Sequence, residues 1–88
     1  MAVSSKQDIL NRLRRIEGQV RGIQRMIDEE QKCAEVLDQV AAVRIALYNA
    51  GILILESHAR ECLTTAMAEG QGEAALEDLV RVIKKFAG

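Results

Sequence analysis

The sequence predicts an all-α chain of three helices. Three observations carry this. Proline is absent, and Ala, Leu, Glu, Arg and Gln are abundant, residues that favour helix. Apolar residues recur at spacings of three and four. The aromatic content is one Tyr and one Phe, so any core is aliphatic.

The first helix is predicted over about 5–29. Ser5 can cap it, with Asp8 three residues on in the arrangement of a capping box. Ile9, Leu13, Ile16, Val20, Ile23 and Ile27 then form an apolar seam. The charged stretch DEEQK (28–32) interrupts the seam without Gly or Pro, so the boundary it marks is soft. The second helix is predicted over about 33–68, with Val36, Leu37, Val40, Val43, Leu47, Ile54 and Leu55 as its apolar stripe. Gly51 lies inside it, and a lone Gly is tolerated in a helix at about 1 kcal/mol. EGQG (69–72) ends the helix, with Gly70 suited to the left-handed position after the cap. Leu76, Leu79, Val80 and Ile83 mark a third helix over about 73–86.

At 88 residues the chain is expected to be one small domain, 1–88. Chains of this size bury a modest share of their surface and often need a metal or a partner subunit. The middle helix would be about 50 Å long, with an apolar stripe along its length. A second copy of the chain is the economical cover, which predicts an antiparallel helical-bundle homodimer. Two cysteines make no disulfide framework. The start carries no signal peptide, and the longest uninterrupted apolar patch, AGILIL, is six residues. These features predict a cytoplasmic protein with reduced thiols and no membrane partner. No nucleophile–base set can be assembled around the single histidine, so an enzyme is not expected.

That histidine lies in LESHARECL (55–63), four residues before Cys62. Positions four apart share a helix face, so His58 and Cys62 can grip one ion. Cys33 lies 25 residues before His58, close to 40 Å along a continuous helix at about 1.5 Å per residue. One chain cannot close the site through its own helix. Two antiparallel helices with a two-fold axis near residues 46 and 47 would bring position 33 opposite position 60 or so, between His58 and Cys62 of the partner. At about 100° per residue, Cys33 falls within roughly 20° of both on the helical wheel. Two thiolates and one imidazole form a soft three-ligand set. Copper(I) accepts it, structural zinc wants a fourth ligand, and nickel or cobalt want more nitrogen or oxygen donors. The plainer reading, buried cysteines and an ordinary helical histidine, stands beside it.

Net charge is −1, but Lys6, Arg12, Arg14, Arg15, Arg21 and Arg25 crowd the first helix against Asp8 and Glu17. Arg14, Arg21 and Arg25 cluster opposite the apolar seam, with Gly18 and Gly22 among them, where small residues allow close approach of a phosphate backbone or another helix. A solvated face with intrahelical pairs such as Glu17–Arg21 fits the same pattern. Arg44, near the proposed two-fold axis, is a further basic candidate.

RLRRIEGQVRGIQRMI, CAEVLDQVAAVRIAL and ESHAREC together resemble the copper-sensing operon repressor family (CsoR/RcnR type), over about residues 6–86. The resemblance implies all-helical dimers that pair into homotetramers, bind operator DNA and release it when an inducer binds. It implies DNA contacts for Arg14, Arg15, Arg21, Arg25 and Arg44. It also implies a copper(I) site of Cys33 from one subunit with His58 and Cys62 from its neighbour. The nickel and cobalt branch adds a histidine near the N-terminus and has His where this chain has Cys62. The persulfide branch lacks the histidine, and the formaldehyde branch has an N-terminal proline where this chain has Ala2. The copper pattern fits best, which implies a copper(I)-responsive repressor of copper-resistance genes. The alternatives are a persulfide or aldehyde sensor of the same family and a copper-buffering bundle without DNA activity. One position departs: copper sensors of this family commonly have Tyr before the first Cys, joined to a Glu of the third helix and to the His ligand. Here the residue is Lys32, and the nearest acids are Glu77 and Asp78. A cation beside Cys33 favours its thiolate, aiding metal binding or reaction with electrophiles.

Overall fold

The computed structural model describes residues 5–88; Ala2 and the rest of the first four residues lie outside them. The described residues form three helices and no strand: α1 (Lys6–Asp28), α2 (Cys33–Ala68) and α3 (Gly72–Ala87). Each boundary falls within one residue of the expected one.

Ser5 caps α1 as expected. Its Oγ accepts from the Asp8 N–H at 3.1 Å, and Asp8 Oδ2 accepts from the Ser5 N–H at 3.3 Å, satisfying two end donors reciprocally. The soft boundary after α1 is a tight turn. The Glu30 N–H donates to the Ile27 carbonyl and the Gln31 N–H to the Met26 carbonyl, both at 3.0 Å. Glu30 itself takes the left-handed conformation at φ 56°. This is a Schellman motif with a non-Gly residue where Gly is usual. The α2–α3 join repeats it with glycine: Gly70 has φ 76°, its N–H donates to Met67, and the Gln71 N–H donates to Ala66.

The chain divides into two compact units, Met1–Leu53 and Ile54–Gly88. In the first, the α1 seam is covered unevenly. Ile9 and Ile16 are buried, Leu13 and Ile23 are half-buried, and Val20 and Ile27 are 41% and 61% exposed. On α2 the expected single stripe is two. Val36, Val43, Ala46, Ala50 and Leu53 are buried or half-buried, whereas Leu37, Val40 and Leu47 are exposed. The physical reason is that α2 is apolar on more than one face, and the chain covers only one of them.

The same property corrects the expectation drawn from apolar runs. By length and composition α2 is apolar enough to cross a membrane, with an 18-residue window of mean hydropathy 1.5, only 6% of it buried. Arg44 and Glu56 interrupt the run without lowering the average below that mark. In the second unit α3 follows the Gly70 turn. Leu79 is half-buried there, while Leu76, Val80, Val82, Ile83 and Phe86 are exposed.

Candidate metal centre and nucleic-acid face

His58 and Cys62 are one turn apart on α2, so helix geometry alone points them the same way. Both line one cleft of about 420 Å³ in the second unit. Its walls are Ile54, Leu55, Ala59 and Leu63 from α2 and Ala75, Leu79 and Val82 from α3. Asp78 is the one acid in this lining. Of the two acids that the sequence left as neighbours of the candidate ligands, α3 presents Asp78 to the cleft, and Glu77 is not part of its lining. Asp78 Oδ1 also lies 3.7 Å from Arg81 Nη2, one turn on. Both carboxylate and guanidinium are largely exposed there, and such a pair contributes little to stability.

Cys33 is the first residue of α2, in the other unit. Lys32 stands at the cap position: its carbonyl accepts from the Val36 N–H at 3.1 Å, opening the helical ladder. Lys32 and Cys33 are both exposed. Both cysteines are free thiols. Among the described residues, no three His, Cys, Asp or Glu side chains come together closely enough to hold a metal ion. The candidate donors are present as a pair, His58 and Cys62, and a single, Cys33.

Arg14, Arg21 and Arg25 are exposed along α1. A side chain added at Gly18 or Gly22 would meet nothing within 4 Å, so the backbone between these arginines is open to close approach. Arg14 Nη1 donates to Asn11 Oδ1 at 3.4 Å. Arg15 sits apart from them. It shares a polar hollow of about 270 Å³ with Asp8, Asn11 and Arg12. Arg12, counted among the basic residues of the first helix but not among the DNA-contact candidates, is its neighbour there, three positions away. Arg44 is exposed on the uncovered side of α2, between Val40 and Leu47.

A family profile described as "Metal-sensitive transcriptional repressor" matches residues 5–85. The copper-sensing transcriptional repressor CsoR of Bacillus subtilis (strain 168) is 47% identical over 81 residues, which cover 92% of this chain and 80% of that protein. The copper-sensing transcriptional repressor RicR of Mycobacterium tuberculosis (strain ATCC 25618 / H37Rv) is 44% identical over 85 residues, covering 86% and 88%. Among solved structures, the copper-sensing repressor CsoR with Cu(I) from Geobacillus thermodenitrificans NG80-2 matches with a TM-score of 0.83 at 43% identity, over 100% of this chain and 95% of that one. The nickel-responsive transcriptional regulator InrS matches with a TM-score of 0.76 at 46% identity, over 98% and 97%.

Proposed function

Because the chain belongs to the metal-sensitive transcriptional repressor family, we propose that it is a copper(I)-responsive repressor whose metal site is shared between two copies. The observation that carries this reading is the division of the donors. His58 and Cys62 line one cleft, Cys33 opens α2 in the other unit, and no described cluster completes a site. A second copy supplies what each lacks. Cys33 of one protomer joins His58 and Cys62 of its partner, and copper(I) supplies a soft cation that accepts two thiolates and an imidazole.

The uncovered apolar surface of α2 supports the same assembly. Leu37, Val40, Leu47 and Ile54 are exposed at heptad-like spacings, which suits a helix seam between copies better than a lipid surface carrying Arg44 and Glu56. In this reading residues 1–88 act as one repressor domain in the cytoplasm, as a homodimer that pairs into a tetramer. Operator DNA lies against Arg14, Arg21 and Arg25, with Arg15 and Arg44 at its margins. The binding is dominated by phosphate contacts, so it falls with added salt. His58 reports the loaded site. One ring nitrogen would hold the metal, and Asp78, which lines the same cleft, is the acid available to orient the other. By linkage, copper(I) weakens DNA binding by the factor that DNA weakens copper binding.

Similarity to InrS favours a second reading, a nickel-responsive repressor. Nickel wants more nitrogen or oxygen donors than this set provides, and the chain has a single histidine and Cys at position 62. An anaerobic titration on the protein's own upstream DNA decides. Stoichiometric copper(I) should give thiolate-to-metal absorption and release the DNA, and nickel(II) should do neither. Release by nickel alone supports the second reading. Release by persulfide, with a Cys33–Cys62 link between chains in the mass spectrum, supports a thiol sensor. No DNA binding by the metal-free protein supports a copper buffer.

A further inference from the structure

We infer that the polar hollow on the first half of α1 reads a base pair of the operator, with Arg12 as its specificity-determining residue and Asp8 as its partner. The inference rests on the reading that the chain is an operator-binding repressor, and it names the part of α1 that tells one DNA sequence from another. Asp8, Asn11, Arg12 and Arg15 line the hollow of about 270 Å³. Their spacing of three, four and seven from Asp8 puts them on one face of the helix. Arg14, Arg21 and Arg25 lie on another face, roughly 110° away at about 100° per residue. The two basic faces differ in chemistry. Arg14, Arg21 and Arg25 are a row of exposed guanidiniums beside open backbone at Gly18 and Gly22, which suits phosphate oxygens. The hollow mixes two guanidiniums with a carboxylate and an amide.

That mixture decides what the hollow fits. A phosphate oxygen only accepts hydrogen bonds, and the Asp8 carboxylate repels it. A G·C pair seen from the major groove shows acceptors and a donor side by side. Guanine N7 and O6 accept from an arginine fork, and cytosine N4 donates to a carboxylate. The side chains of the hollow stand ready for that use. Among the described residues neither Arg12 nor Arg15 is ion-paired, although Asp8 is one turn from Arg12. The Ser5 N–H restrains Asp8 Oδ2 at 3.3 Å. Asn11 Oδ1 accepts from Gln7 Nε2 at 3.0 Å and from Arg14 Nη1 at 3.4 Å, which ties the hollow to the phosphate-facing row. Residues 8–15 span about 10 Å of helix, and the major groove, about 12 Å wide, admits a helix. Of the two arginines, Arg12 is the one a single turn from Asp8, so these two can divide the guanine and the cytosine of one pair.

The test is fluorescence anisotropy on the full-length, metal-free protein, with its upstream DNA, a scrambled duplex, and a panel in which each base pair is changed in turn. Circular dichroism checks that each variant keeps its helices. Wild type should lose about tenfold when one particular G·C pair becomes A·T. Arg12→Gln should lose about tenfold on the upstream DNA and erase the penalty at that pair alone. Its affinity for the scrambled duplex should stay within about threefold, with the salt dependence unchanged. Arg21→Gln should weaken both duplexes alike and lower the salt slope by about one. Arg12→Lys keeps the charge without the planar fork and should shrink the same penalty; it decides if Arg12→Gln fails to fold. Equal losses on both duplexes in Arg12→Gln, or no base pair whose penalty depends on Arg12, overturn the inference while the repressor reading stands. A wild-type protein that does not bind its upstream DNA overturns both.

Discussion

The two regions that carry the proposed metal donors are built in opposite ways. Cys33 stands at the open end of a helix, placed by a backbone turn, among charged and solvated neighbours. His58 and Cys62 stand inside the last third of the helix, placed by helical periodicity, in a cleft with largely aliphatic walls. The first region offers a single thiol in surroundings that charge can tune. The second offers two donors whose spacing the helix holds. The contrast suits the proposed shared site: the cleft holds two candidate donors at a spacing the helix fixes, and the exposed end offers the third to a second copy.

The largest expected effect removes either side. Cys33→Ser and Cys62→Ser should each abolish copper-induced release, a loss of at least about a hundredfold in coupling. Both should leave metal-free operator affinity unchanged, as read by fluorescence anisotropy. A variant that still lets go of DNA with copper(I) would break the shared-site comparison. His58→Ala sharpens it from within the cleft. Thiolate-to-copper absorption should persist while DNA release is lost, separating binding from regulation. Retained release in this variant would remove His58 from its reporting role.

The walls come next. Leu79→Ala trims a half-buried side chain of the cleft and should cost about 1–2 kcal/mol in a denaturant melt at fixed protein concentration. The smallest effects distinguish the two turns. Gly70→Ala puts a Cβ at φ 76° and should destabilise by about 1 kcal/mol. Glu30→Gly relieves the same conformation before Cys33, and should stabilise by about 0.5 kcal/mol after the extra chain entropy of glycine is subtracted. Opposite signs in thermal melts would show that both joins obey one rule.

The turns also show what is readable without coordinates. Gly70 announces its own role, because glycine is the residue that takes positive φ without strain. Glu30 does not, because nothing in the residue type points to a left-handed conformation. The capping box at Ser5 and Asp8 was legible for the same reason as Gly70: short side chains at fixed spacing have one good use. The split of the α2 stripe was not. Periodicity says which residues share a face, and a helix that is apolar on several faces leaves open which of them its own chain covers. Glu77 and Asp78 are adjacent in sequence, and only the rotational setting of α3 against α2 tells them apart. His58 and Cys62 were readable from their spacing. The cleft that contains them needed the third helix.

One consequence follows from how little of the chain is hidden. Ile9, Ile16 and Ala50 are the buried apolar side chains among the described residues. In the proposed assembly, so small an interior leaves a lone protomer poorly protected from proteases and ties its stability to the concentration of its own kind. A cell carrying such a repressor would discard unassembled copies before they reach an operator. The abundance of working repressor would then rise more steeply than its synthesis, a threshold on supply that acts before any metal is sensed.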